Sequence, residues 1–287
     1  MVPLSSIVGR KANAQVADKT MTGCKQSFSK WFSVFVPALC LLGTSVGRAQ
    51  TTNDTQPTIA TDRPSVANSS VVVPRGYLQA ENGFLITSAQ GESVADFPET
   101  SLRFGLLDQT ELRLALPDYF HAVNALPSPV SGFGDFAVGV KQQLGPIGKD
   151  FNLAAIFFLS FPTGANAISS HGYDPGMQFP WSKPVSKSWT ASGQIAFYWP
   201  TVAGTHNRTG ETTFVFDRQL AAPWDAFVEY AGDFPQHGGS RQIAHFGSAY
   251  KLAPRHQIDF QLGAGLSHAA PHFFIGAGYS FLLRVAK

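Results

Sequence analysis

Leu102-Arg103-Phe104-Gly105-Leu106 and, after a short gap, Thr110-Glu111-Leu112-Arg113-Leu114-Ala115-Leu116 are apolar at every even position, while the odd positions include Arg103, Glu111 and Arg113. Successive residues of an extended strand point to opposite faces, so each segment offers one face to hydrocarbon and one to water. Joined by a tight turn they make an amphipathic hairpin, and the length of the turn decides whether the faces match. A two-residue turn at Asp108-Gln109 sets Leu106 beside Glu111 and mixes the faces. A three-residue turn, Asp108-Gln109-Thr110, places Leu106 opposite Leu112, Phe104 opposite Leu114 and Leu102 opposite Leu116, with Gly105 facing Arg113 and Arg103 facing Ala115. The spacing predicts the three-residue turn.

The same alternation recurs from Gly76 to the C-terminus in about a dozen segments of roughly ten residues. The predicted cores are Tyr77 to Thr87, Thr100 to Leu107, Glu111 to Leu116, Phe133 to Leu144, Phe151 to Phe161 and Met177 to Lys183. They continue with Trp189 to Trp199, Thr212 to Leu220, Trp224 to Ala231, Gln242 to Leu252, Gln257 to Ser267 and Phe273 to Leu283. Short connections near Asp108, Gly145-Pro146, Pro184, Ala222-Pro223 and Pro254-Arg255 alternate with longer ones at Ser88 to Pro98, Pro117 to Gly132, Pro162 to Gly176, Pro200 to Glu211 and Gly232 to Arg241. The last long-side connection, His268 to Pro271, is short and departs from the rule. An even count with alternating turns predicts an all-β fold, an antiparallel up-and-down transmembrane β-barrel of about 12 strands with both termini in the periplasm.

The segment from Trp189 to Trp199 serves as a ruler. Ten residues at about 3.3 Å each, tilted roughly 40°, span about 25 Å, the height of the apolar band of such barrels. Both tryptophans share a face with Ala191, Ile195 and Phe197, which places them in the two interfacial girdles, and Tyr250 and Tyr279 suit the same belts. A soluble, secreted β-barrel binding protein is the competing reading, but it would leave few aromatics facing outward.

The 287 residues carry a net charge of +2, too balanced to suggest nucleic-acid binding by bulk charge. The one long apolar run, Trp31 to Val46, is short for a membrane-spanning helix. It follows Lys25 and Lys30 and leads to Gly47-Arg48-Ala49, so residues 1–49 read as a signal peptide cut after Ala49. Met21 opens a signal of ordinary length, which makes residues 1–20 a mis-called start. Cys24 and Cys40 fall in the removed part, and the mature chain would hold no disulfide or thiolate metal site. Residues 50–75 are polar and rich in Thr, Ser, Asn and Pro, a periplasmic lead-in, and residues 76–287 form the barrel.

Thr61-Asp62-Arg63-Pro64, then Val73-Pro74-Arg75-Gly76-Tyr77-Leu78-Gln79-Ala80-Glu81-Asn82-Gly83, is similar to the opening of a bacterial outer-membrane family named for transport in the phenol meta-degradation (MetA) pathway. Gly132-Phe133-Gly134-Asp135 with Gly139 and Lys141, Ser160-Phe161-Pro162-Thr163-Gly164, Gln257-Ile258-Asp259, Gly263-Ala264-Gly265-Leu266-Ser267 and Gly276-Ala277-Gly278-Tyr279-Ser280-Phe281 resemble its later blocks in order and spacing. The resemblance implies a barrel in the bacterial outer membrane that takes up small hydrophobic or aromatic solutes, with outer-membrane lipid and the barrel-assembly machinery as its other partners. Such chains end on or just after the aromatic of the last strand, whereas this one continues from Leu282 to Lys287.

Catalytic motifs are weak. Gly43-Thr44-Ser45-Val46-Gly47 meets the serine-hydrolase spacing but lies inside the predicted signal, and the eight histidines are scattered without a partner carboxylate at metal-site spacing. The expectation is a non-enzyme with no cofactor and no metal. The charged residues of the presumed inner face, the candidate lumen lining and solute path, are Glu81, Glu99, Arg103, Glu111, Arg113, Asp135, Lys141, Glu229 and Asp259. Both signs occur, which favours ion-pair ladders that brace the wall over an ion-selecting ring. An open lumen would tolerate Arg113→Gln far better than the lipid face tolerates Leu114→Arg. Thr61-Asp62-Arg63-Pro64 either plugs the periplasmic mouth, with Asp62 and Arg63 pairing to lumen charges, or is a plain extended tether.

Overall fold

A computed structural model describes residues 57–89, 91–123 and 129–286, and the predicted signal peptide lies outside them. Among the described residues the regular elements are all β-strands. Fifteen hydrogen-bonded segments form one antiparallel sheet that closes on itself. They make twelve strands, because three of the twelve are each interrupted once.

The strands are β1 (Tyr77–Ala89), β2 (Glu92–Phe97 and Ser101–Leu107), β3 (Thr110–Ala115 and Tyr119–Val123), β4 (Val130–Phe133 and Phe136–Gln143), β5 (Asn152–Phe161) and β6 (Asp174–Pro184). They continue as β7 (Trp189–Tyr198), β8 (Thr209–Ala221), β9 (Trp224–Pro235), β10 (Arg241–Ala253), β11 (His256–Gly265) and β12 (Phe273–Arg284). Closure comes from β1 against β12, paired from Tyr77 with Arg284 up to Ser88 with Phe273. This pairing closes the sheet on itself, so neither β1 nor β12 is left as a free edge.

Two expectations are corrected. The Asp108-Gln109 turn has two residues, and a bulge at Leu106 absorbs the odd residue, so Gly105 pairs with Glu111, Phe104 with Leu112 and Leu102 with Leu114. The faces sort as expected, with partners two residues away from those predicted. A single extra residue restores parity as well as a longer turn does. The same build recurs at Leu220 before the Ala222-Pro223 turn and at Leu252 before Pro254-Arg255. The second correction concerns the first two long connections. Glu92–Phe97 pairs with β1, and Tyr119–Val123 pairs with Glu92–Phe97 and with Val130–Phe133, so these stretches extend the wall. Pro98, Pro117 and Gly134-Asp135 interrupt neighbouring strands instead of ending them, since a proline removes a ladder donor without preventing the chain from resuming its direction.

The barrel is apolar outside and polar inside. Phe157, Ile195 and Val228 are 55%, 52% and 57% exposed. Inward residues along the wall are buried and largely polar, among them Lys141, Gln194, Glu229, His245 and Gln261. This inversion of a soluble core is what a hydrocarbon surround selects. Tyr250, Trp224, Ile258 and Tyr279 are joined by successive cross-strand pairings into one outward row rich in aromatics.

Candidate functional site

Arg103, Glu111 and Lys141 are fully buried, and Glu81 and Arg113 nearly so, although all project from the inner face of a barrel that an open channel would fill with water. The cover is the chain's own segment ahead of β1. It enters beside the Pro254 turn, where the Ile59 N–H donates to the Pro254 carbonyl at 2.8 Å, climbs inside, turns, and returns to cross Gly105 before β1 begins.

Many polar groups of this hairpin are met by side chains of the wall. The Ala60 carbonyl accepts from Gln79 Nε2 (2.9 Å) and Arg103 Nη1 (3.0 Å), and the Thr61 hydroxyl accepts from Gln257 Nε2 at 2.7 Å. The Glu81 carboxylate takes the N–H groups of Asp62 and Arg63 at 3.0–3.1 Å. At the tip, Glu229 takes those of Val66 (2.8 Å) and Ala67 (2.9 Å) while sharing a 2.7 Å hydrogen bond with His245 Nδ1. Coming back, Asn68 Nδ2 donates to Gln194 (2.7 Å), the Ser70 and Ser182 hydroxyls meet at 2.7 Å, the Val71 carbonyl accepts from Arg103 and Lys141, and the Val73 N–H donates to Glu111 at 2.7 Å. A buried backbone needs such partners, and here side chains take the place of a β-ladder.

Charge balances only with the segment in place. Three cations, Arg103, Arg113 and Lys141, surround two wall carboxylates, Glu81 and Glu111, and Asp62 supplies the third, 2.6 Å from Arg113 and 3.2 Å from Arg103. Burial pushes the Asp62 carboxyl up, yet Arg103, Arg113 and Lys141 together hold it well below the usual carboxylate range. Arg63 forms a second group with Glu99 and with Asp259 (3.3 Å), and also donates to the Ala277 carbonyl. Burial would lower its pKa, but Glu99 and Asp259 raise it.

The upper lumen differs. Val66 at the hairpin tip packs with Leu85 against Ala231, Ile243, Phe274 and Ala270, the last contributed by the connection after β11. Ala67 packs with Val215 and Phe227. Phe227, His245 and Phe274 stand edge to face, with ring centroids 5.2 and 5.1 Å apart, as an aromatic ladder up the inner wall.

Of the sequence-predicted inner residues, Glu81, Arg103, Glu111, Arg113 and Lys141 come together around Asp62, while Glu99 and Asp259 gather at Arg63 and Glu229 meets the tip. Asp135 stands apart. It lies at the interruption of β4 and accepts the N–H groups of Gly164 (2.8 Å) and Ser170 (2.9 Å), bracing the connection between β5 and β6. Pro64 lies against Gly247. Trp189 is exposed at the start of β7 beneath the Arg218 guanidinium, Trp199 directly follows the far end of that strand, and Tyr250 and Tyr279 are exposed on the outer wall.

Reasoning from charge alone missed the neutral amides Gln79 and Gln257, which donate to the hairpin, and Gln178 and Gln194, which accept from it, all on inward rows that the alternation marks. It also left Glu211, Asp233 and Arg241 in loops, because β8, β9 and β10 run further than their apolar cores. Among the described residues, no group of three or more His, Cys, Asp or Glu side chains is arranged to hold a metal ion.

A closed twelve-stranded antiparallel barrel with an apolar outer belt and a polar interior is the architecture of an outer-membrane β-barrel protein. Residues 61–283 match the family model described as "Putative MetA-pathway of phenol degradation", and the chain belongs to that family. The fold is similar to that of the COG4313 outer membrane channel from Pseudomonas putida F1, with 13% identity and a TM-score of 0.56, over 75% of this chain and 98% of that one. It is also similar to the KdgM porin in complex with disordered oligogalacturonate, with 8% identity and a TM-score of 0.50, over 71% of this chain and 98% of that one. At such identities the likeness is one of fold. No curated protein compared with the chain matches it. The protein resides in the bacterial outer membrane.

Proposed function

We propose that the barrel is a channel for uptake of small hydrophobic or aromatic compounds. The observation that carries this reading is the Phe227–His245–Phe274 ladder, apolar ring surface placed on the inner face where a porin wall needs only polar groups. Val66 and Ala67 of the hairpin tip cover these rings in the docked state, and once uncovered they would give a passing ring a series of weak contacts of about 0.5–1.5 kcal/mol each, enough to favour its passage without trapping it. Membership of a family described by phenol degradation supports the same solute class.

Uptake by proteoliposomes is the test. Phenol should enter faster than glycerol, and Phe227→Ala with Phe274→Ala should lower phenol uptake roughly 2–10-fold while sparing glycerol. Equal loss of both solutes would refute the aromatic path. The filled lumen favours a second reading, a structural barrel that transports nothing, and absence of uptake of either solute by folded protein would establish it.

A further inference from the structure

The lumen filling divides into two chemically distinct parts. At the short-turn rim, Ile59 and Val73, the two legs of the hairpin, are buried together with Tyr77 and Leu282 in an apolar cluster. Between them, residues 60–72 are held mainly by polar and ionic contacts to the wall, with Val66 and Ala67 at the tip as the apolar exception. Apolar contacts lose their partners outright when a segment leaves, whereas polar side chains exchange a protein partner for water at small net cost. The base is therefore a clamp, and the loop above it is attached by replaceable bonds.

The wall is also shaped for the loop. Gly83 and Gly278 face each other across the β1–β12 pair, and the Arg63 guanidinium lies over both. A Cβ on Gly83 would come within 2.2 Å of the Arg63 guanidinium carbon, and one on Gly278 within 2.5 Å of its Nε. Two opposed glycines that leave a slot for one side chain make a key and keyhole.

We propose that residues 60–72 form a releasable gate. The gate swings out of the lumen toward the short-turn end about the Ile59–Val73 clamp, and Arg63 in the Gly83–Gly278 slot and Asp62 among Arg103, Arg113 and Lys141 are its two latches. This inference rests on the channel reading. The wall exposed by release is lined with Gln, Glu, Arg and Lys and is wettable, so the open state is a water-filled path past the aromatic ladder.

The test uses membrane-extracted protein in planar bilayers and proteoliposomes, with folding checked by heat-dependent gel mobility. Ser70→Cys with Ser182→Cys should form a disulfide, because the native hydroxyls are 2.7 Å apart, and so tie the loop to β6. The oxidised form should show neither current nor phenol uptake, and reduction should restore both to the wild-type level. Arg63→Gln and Asp62→Asn should each raise open probability about tenfold or more, since each leaves buried charges of the wall unpaired when the loop is docked. If the oxidised protein passes current and phenol as freely as the reduced one, the gate is refuted while the channel stands. An open probability unchanged in both latch variants would refute the latches. No current and no uptake from any folded form would remove the channel reading and the gate with it.

Discussion

The sector from β1 to β4 and the sector from β8 to β12 meet the same lipid but enclose different interiors. Both present alternate apolar residues outward, Phe84, Phe104 and Val140 in the first and Phe216, Phe246 and Ile275 in the second. Inside, the first carries Glu81, Arg103, Glu111, Arg113 and Lys141, and three of its four strands are interrupted at neighbouring positions. The second has long strands without interruption, and its inner row mixes Thr213, Val215, Phe227, His245 and Phe274. Hydrocarbon dictates the outer face of a barrel everywhere, so differences between sectors belong to the lumen. Here the first sector holds the docked segment by a dense charge cluster, and the second adds ring surface to the single carboxylates Glu229 and Asp259.

The largest effects should come from the charged sector. Glu111→Gln removes a carboxylate that receives Arg103, Arg113 and the Val73 N–H, and should cost about 3–5 kcal/mol in unfolding from lipid vesicles, while Gln257→Ala on β11 of the second sector, which loses the 2.7 Å bond to Thr61, should cost about 1–3 kcal/mol. Equal losses would erase the distinction between the sectors. Arg113→Gln belongs with Glu111→Gln. The tolerance expected for an open lumen does not apply, because Arg113 bonds Asp62, Glu111 and Asn68. On the lipid face, Leu114→Arg in the first sector and Phe197→Arg on β7, outside both sectors, should each cost about 2–4 kcal/mol and by similar amounts, measured in the same way.

A pH titration sharpens the comparison. The folded pKa of Asp62 is depressed, so its share of the docking energy is complete above the undocked value of about 4 and is lost as pH falls through the depressed value. Open probability should stay flat from pH 7 to 5 and rise on further acidification, and Arg113→Gln should move the onset to higher pH. The smallest effect should be Tyr279→Phe on the outer wall, which removes one 2.7 Å hydrogen bond to His256 and should change stability by about 0.5–1.5 kcal/mol.

The outward rows were legible because lipid imposes a period of two on Leu112, Leu114, Ile195 and Phe197 whatever their neighbours are. The turn register was not, since a bulge at Leu106 and a third turn residue restore the same parity and only backbone geometry separates them. Pro98 and Pro117 read as ends because a proline looks alike where a strand stops and where it pauses. The place of Thr61 to Pro64 stayed open between plug and tether for a different reason. The hairpin has no period of its own, and what docks it is spread over Gln79 and Glu81 on β1 and single inward residues of three other strands, Gln194, Glu229 and Gln257.

Arg63 binds Glu99, which follows the first half of β2, and also Asp259 on β11 and the Ala277 carbonyl on β12, so one side chain ahead of the first strand is gripped by residues of the last two. The slot it fills lies on the β1–β12 pair, the seam where the sheet meets itself. That binding pocket does not exist until the last strand has joined the first. In the history of a single molecule, seating of Arg63 is therefore a late event of assembly, and its contacts mark a cylinder whose circumference is complete.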